Sequence, residues 1–194
     1  MSITGQGMWA QPDDVEAAHA VLKRAVELGV NFIDTADAYG PDSSVSFTDS
    51  IQALIDLQNE GNIKHIGVSN VTLDLLKQST AMTKVVSVQN HYNFEHRADS
   101  EPVLQYCQEQ GIAFIPYFPI GGNQGDPTEA ELAQIAEKHD ASSRQIALAW
   151  LLQHSPVILP IPGTSTVEHL ESSIAAANIE LDDEDVAALD APTD

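Results

Sequence analysis

NFIDTADAYG, residues 31–40, reads as a hydrophobic strand that runs straight into a carboxylate, Asp34, and then a phenol, Tyr39. Its acid, tyrosine and glycine fall where a parallel strand gives way to a loop. In parallel α/β architectures that end of the strand is where ligands bind and chemistry happens. A tyrosine hydroxyl can donate a proton to a carbonyl oxygen, but its ordinary pKa of about 10 demands neighbours that tune it. The same pair also has a structural reading, with the aspartate tying down loop amides and the tyrosine packing.

Outward from this stretch, helices and strands alternate. A helix capped by Asp13 or Asp14 precedes it, carries Val15, Ala18, Val21, Leu22, Ala25 and Val26 on one face, and stops at Gly29. Downstream, Thr48 or Ser46 opens the helix FTDSIQALIDLQNEG, and strands are expected at 63–70, 84–93, 112–122 and 156–163 with helical patterns between them. With the strand at 30–35 the count is five. Strands alternating with helices at this spacing predict βαβ units, a mostly parallel sheet and a single domain over residues 1–194.

The other strand ends carry polar and aromatic groups. Ser69 and Asn70 end one strand, and Gln89 and Asn90 end the next; such side chains suit a flat, amide-bearing ring, and they equally suit capping of the following helices. Tyr117 leads into Gly121 and Gly122, where the backbone is open to close approach. Gly163 is followed by Thr164, Ser165 and Thr166 at a helix start whose N–H groups form a generic phosphate site.

These motifs, in this order, resemble those of the aldo-keto reductases, and the likeness covers the chain from about residue 8 to 190. The resemblance implies a (β/α) TIM-barrel type of α/β fold and NADPH-dependent reduction of an aldehyde or ketone, with a small carbonyl compound as substrate and no metal. It implies catalytic roles for Asp34 and Tyr39, with Ser69, Asn70 and Gln89 on the nicotinamide carboxamide and Tyr117 stacked on its ring. Gly121, Gly163, Thr164, Ser165 and Thr166 would lie along the phosphates, and His169 stands where many relatives place an arginine on the 2'-phosphate.

There are departures. Ser172 and Ser173 replace the acidic-amide pair that contacts adenine, and residues 145–194 hold no lysine or arginine, so NADH stays open beside NADPH. Family members carry a lysine on the strand after the DTADAYG loop and a histidine on the next strand. Here Tyr39 leads through PDSSV directly into FTDSIQALIDLQNEG, so both residues, two strands and a helix have no counterpart, and SITG after Met1 stands where the first strand is usually approached. Lys64 and His65 begin a strand and so lie at its opposite end; His91 is the better stand-in on the rim, although loop packing is its ordinary role.

Five of the eight strands that a barrel requires predict an incomplete barrel with two open edges. An open parallel sheet covered by a second copy of the chain, or a portion of a longer protein, are the alternatives. The function alternative is a non-catalytic nucleotide-binding or interaction module descended from the family.

Composition sets outer bounds. With 29 acidic against 8 basic residues and a formal charge of −21, nucleic acid and anionic membrane are disfavoured as partners. No apolar run reaches the roughly 18 residues of a membrane span, no leader is evident, and the single cysteine, Cys107, suits a reducing cytoplasm. Cys107 falls in a helical pattern and is expected to pack.

Overall fold

The computed structural model describes residues 46–121, 130–163 and 167–190. The expected strand at 30–35 and the helix before it lie outside these residues. The chain divides into two compact units, one holding residues up to Ser69 with Leu75–Val86, the other Asn70–Asp74 with Ser87 onward.

In the first unit, α1 (Phe47–Asn59) starts at Ser46, whose hydroxyl accepts from the Asp49 N–H at 3.1 Å; the cap is therefore Ser46 and not Thr48. Thr48 instead accepts from Gln78 Nε2 at 2.9 Å. Strand β1 (Ile66–Ser69) buries Ile66 and Val68 and leaves Gly67 exposed, the alternation of a pleated strand. Helix α2 (Leu73–Met82) buries Leu76 and Ser79, and the Ser79 hydroxyl is satisfied by the Leu75 carbonyl at 2.8 Å.

Strand β2 (Val85–His91), in the second unit from Ser87 onward, and β3 (Ala113–Tyr117) run parallel, in a register from Ser87 opposite Ala113 to His91 opposite Tyr117. The crossover between them is α3 (Glu101–Gln110), which ends at Gly111 in the left-handed region with φ 65°. Val88, Asn90, Phe114 and Pro116 share one buried face of the pair. Ser87, Gln89, His91, Ala113 and Tyr117 lie half-buried on the other. Cys107 is fully buried on α3, and desolvation pushes its thiol up to about 12, as a packing residue requires.

All four expected strands among the described residues are shorter than their sequence patterns. Asn70, at φ 53°, ends β1, and Phe118, also at φ 53°, ends β3. The expected strand at 156–163 is reduced to one bridge, Phe114 to Ile158, held by Phe114 N–H to Val157 at 2.8 Å and Leu159 N–H to Phe114 at 2.8 Å. Pro156, Pro160 and Pro162 have no N–H to extend the ladder.

Four helices complete the unit: α4 (Ala130–Lys138), α5 (Ser143–His154), α6 (Val167–Ala175) and α7 (Asp183–Asp190). A full capping box, Ser142 with Gln145, starts α5, and Ile146 through Leu151 are all buried, so this helix is enclosed on every side. Trp150 stacks on Tyr92, with 6.0 Å between ring centroids. Helix α7 is tied down at both ends. Lys138 and His139 reach Asp185, each at 2.7 Å, and Arg97 reaches the Leu189 and Asp190 carbonyls at 3.1 and 2.7 Å, a cation on a helix C-terminus.

Asn90, 5% exposed, fixes the C-terminal end of β2. Its Oδ1 accepts from the Val71 N–H at 3.1 Å, and its Nδ2 donates to the Val71 carbonyl at 2.8 Å and to Ser100 Oγ at 3.3 Å. The residue that was open to a ligand role is thus spent on the backbone. Asn90→Leu leaves the Val71 N–H and carbonyl buried without partners. Urea unfolding of this variant is expected to show a loss of about 1–3 kcal/mol for each group left unpaired, and an unchanged midpoint would contradict the clamp.

Candidate functional site

The C-terminal ends of β2 and β3 gather three of the sequence-predicted residues. The Asn70 N–H donates to the Gln89 carbonyl at 2.9 Å, and the Tyr117 hydroxyl donates to Asn70 Oδ1 at 2.7 Å. Asn70 is exposed, while Gln89 and Tyr117 are half-buried, so the cluster meets solvent. The left-handed backbone of Asn70 turns the chain over β2 and brings its amide to the β3 phenol; asparagine tolerates that conformation better than most residues.

An aromatic stack adjoins this cluster. His91 lies parallel to Tyr117 at 5.2 Å and 5°, as the register of neighbouring strands dictates, and His96 stacks on His91 at 5.0 Å. Desolvation, and then the neighbouring His96, lower the pKa of His91 below 6.5. Asn93, 1% exposed, was not singled out by sequence. Its Nδ2 donates to the Phe118 carbonyl at 2.9 Å, and its Oδ1 accepts from the Glu95 and His96 N–H groups at 2.9 and 2.8 Å. It fastens the loop after β2 to the loop after β3. An asparagine just past a strand is the signal for such a turn.

The remaining predicted residues fall elsewhere. Ser69 is the half-buried last residue of β1. Gly121, at φ 89°, belongs to the turn after β3, where its N–H meets the Phe118 carbonyl at 3.1 Å. Gly163 is exposed, and its carbonyl accepts from Arg144 Nη2 at 2.7 Å. His169 is an exposed residue near the start of α6. Asp34, Tyr39, Thr164, Ser165 and Thr166 lie outside the described residues.

A second polar group surrounds Tyr92. Its hydroxyl donates to Glu101 Oε2 at 2.6 Å and lies 2.9 Å from His154 Nε2; burial and the Glu101 bond raise its pKa. A phenol held this way is a poor proton donor to a ligand. An open recess of about 480 Å³ nearby, lined in part by Arg97, Glu101, His154 and Asp190, shares no lining residue with the Asn70, Gln89 and Tyr117 cluster. Arg97 and Asp190 are already joined there at 3.1 Å, and the chemistry suited to a planar ligand lies at the strand ends. Among the described residues, no cluster of three or more His, Cys, Asp and Glu side chains is arranged to hold a metal ion, and no helix is long and apolar enough to cross a membrane.

The family model described as Aldo/keto reductase family matches residues 1–47 and 40–193. The chain belongs to this family. The two matched pieces meet at residues 40–47, so the break falls in the run from Gly40 into α1. An uncharacterized oxidoreductase of Schizosaccharomyces pombe is 35% identical over 256 positions, covering 98% of this chain and 83% of the relative. Pyridoxine 4-dehydrogenase of Escherichia coli is 31% identical over 264 positions, covering 98% and 91%. Both alignments exceed the chain's 194 residues, so each relative has residues with no counterpart here. A thermostable aldo-keto reductase crystallised with the inhibitor epalrestat matches with a TM-score of 0.71 and 25% identity, over 98% of this chain and 94% of that one. An aldo-keto reductase of Bombyx mori in complex with NADP matches with a TM-score of 0.69 and 25% identity, over 88% of this chain and 61% of that one. The fold of this chain is accordingly α/β, of the (β/α)-barrel type and incomplete, with three strands among the described residues.

The His91 stack yields a direct test. Two-dimensional NMR of the imidazole resonances is expected to give His91 a titration midpoint below 6.5. His96→Asn removes the neighbouring charge and should move that midpoint upward. Because the folded pKa is depressed, the fold disfavours the protonated ring, so this contribution to stability is intact above pH 6.5 and declines as pH falls below it. A midpoint at or above 6.5 would contradict the stack.

Proposed function

We propose that the chain binds a nicotinamide dinucleotide at the C-terminal ends of β2 and β3 and uses it to reduce an aldehyde or ketone. The arrangement of Asn70, Gln89 and Tyr117 carries this reading. Two amide side chains and an aromatic ring stand at neighbouring strand ends, with the Tyr117 hydroxyl fixed on Asn70 at 2.7 Å. Family membership supports it, as do structural neighbours that hold NADP or NADPH. These residue types fit a nicotinamide. The amides offer both donors and acceptors to a carboxamide, and Tyr117 offers a ring, one face of which His91 covers.

When bound, the reduced cofactor supplies the hydride. In this reading Tyr39 gives a proton to the carbonyl oxygen and Asp34 supports it electrostatically, while Ser69, Asn70 and Gln89 orient the carboxamide. Without the family's lysine to link Asp34 and Tyr39, the phenol is the less effective acid near neutral pH. That same gap favours a second reading, a nucleotide-binding or interaction module without turnover, since the direct run from Tyr39 into α1 leaves no position for the lysine or the histidine.

Calorimetric titration of the full chain with NADPH and NADH, followed by an assay of carbonyl reduction, separates these readings. Micromolar binding with measurable turnover supports the enzyme, and Tyr39→Phe is then expected to lower kcat by about 10²-fold or more while leaving cofactor affinity in place. Binding without turnover supports the module. No binding of either nucleotide at millimolar concentration would rule out both the reductase and the nucleotide-binding module.

A further inference from the structure

We infer that His91 makes the site discriminate between the oxidised and the reduced form of the cofactor according to pH, disfavouring the oxidised form once the imidazole is protonated; this rests on the nicotinamide-dinucleotide reading above. The two forms differ in one respect that matters for charge. The oxidised ring is a cation and the reduced ring is neutral, while the phosphates are common to both. A proton held next to the ring's stacking partner therefore acts on one form and spares the other.

His91 and Tyr117 are partners in the β2–β3 register, with rings parallel within 5° and centroids 5.2 Å apart. His96 stacks on His91 at 5.0 Å, and Phe118 stands edge-on to both His91 and Tyr117, at 5.7 and 5.4 Å. A nicotinamide laid on Tyr117 has the imidazole as that ring's other neighbour, two stacking distances or roughly 10 Å away. Over that span the intervening material is ring and not water, so two unit charges repel appreciably. Both cations also draw on one π-system, because each face of the phenol carries the negative side of its quadrupole.

The surroundings of His91 favour its neutral form and yield to mild acid. Asn93 Oδ1 is occupied by the Glu95 and His96 N–H groups, so its Nδ2 is the end that faces His91 Nε2, at 3.4 Å, and Nε2 accepts. The titratable groups around His91 are Tyr117 on β3 and His96 in the loop after β2; the carboxylate of that loop, Glu95, faces His96 at 3.9 Å. Burial, and then His96, hold the His91 pKa below 6.5, so the ring is uncharged at neutral pH and gains its proton on acidification. Retention of the oxidised cofactor thus weakens in acid, in the direction that clears the site for another round of carbonyl reduction. Linkage requires the reciprocal effect, a lower His91 midpoint when the oxidised form is bound.

Calorimetry on the full chain with NADP+ and NADPH, or with NAD+ and NADH if only that pair binds, tests this at about pH 5.5 and about pH 8. The ratio of dissociation constants, oxidised over reduced, is expected to rise at least about twofold on acidification, and titration of the shared phosphates cancels in it. His91→Phe keeps a ring against Tyr117 without the charge and should make the ratio independent of pH, whereas His96→Asn should bring the rise in at a higher pH. A ratio that ignores pH in the unaltered chain, or that rises equally in His91→Phe, marks the stack as loop packing and overturns this proposal alone. If His91→Phe does not fold, imidazole NMR of the unaltered chain decides. The His91 midpoint is expected to lie lower by about 0.5 or more with the oxidised than with the reduced form bound, and equal midpoints overturn the assignment. Binding of neither form at either pH overturns the proposal together with the reading it rests on.

Discussion

The Asn90 side chain is the constraint on which the rest of the site depends. A strand end is a poor place to build a binding surface, because its last N–H and carbonyl groups have no ladder to pair with and the chain beyond is free to wander. Asn90 answers both problems at once by holding the N–H and carbonyl of Val71 after β1 and the hydroxyl of Ser100 before α3. The segment that leaves β1 is thereby laid over the end of β2, and Asn70 comes within reach of Gln89 on one side and Tyr117 on the other. Asn93 repeats the device one turn later, binding the loops after β2 and β3 together through Phe118. The polar groups of the rim are positioned by two buried amides, Asn90 and Asn93.

Much of this architecture was legible in the sequence, and the reasons are particular. The strand-end pairs at 69–70 and 89–90 stood out because polar residues interrupt apolar runs just before helical periodicity begins. The start of α1 is narrowed by sequence to Thr48 or Ser46, and the cap is Ser46. What could not be read was the division of labour within a pair. Gln89 and Asn90 are chemically alike, and the register that turns Asn90 to the buried face and Gln89 to the half-buried one is a property of the folded sheet. Strand lengths were overestimated for a related reason. Apolar composition continues through 112–122 and 156–163, but the left-handed Phe118 and the prolines at 156, 160 and 162 stop the ladder.

The chain also shows how an acidic protein distributes few cations. A formal charge of −21 makes every lysine and arginine scarce, and an exposed ion pair contributes little stability, about 0–1 kcal/mol. Lys138 and Arg97 are each used where one cation meets more than one partner. Lys138 bridges Asp182 and the buried Asp185, while Arg97 satisfies the last carbonyls of α7 and lies 5.6 Å from the Trp150 ring. Asp182 shows the consequence: its bond to Lys138, joined by backbone N–H donors, holds its carboxyl at about 2. The terminal helix is thus held to α4 and to the loop after β2 by charge placed at its two ends.

Binding and catalysis separate naturally in such a chain. In the proposed reading, a rim of amides and a ring would hold a cofactor in the ground state, and such an interaction alone accelerates nothing. Rate enhancement requires groups that bind the developing alkoxide more strongly than the carbonyl it came from, which in this family's pattern is the task of a tyrosine tuned by a lysine and an aspartate. A phenol near its ordinary pKa still supplies a proton, but each unit by which its acidity is left unadjusted costs up to about 1.4 kcal/mol in the difference between its protonated and ionised forms. In the proposed reading, the want of a counterpart between Gly40 and α1 for the family's lysine and histidine bears on the chemical step, whereas Asn70, Gln89 and Tyr117 are placed by Asn90 and by the β2–β3 register.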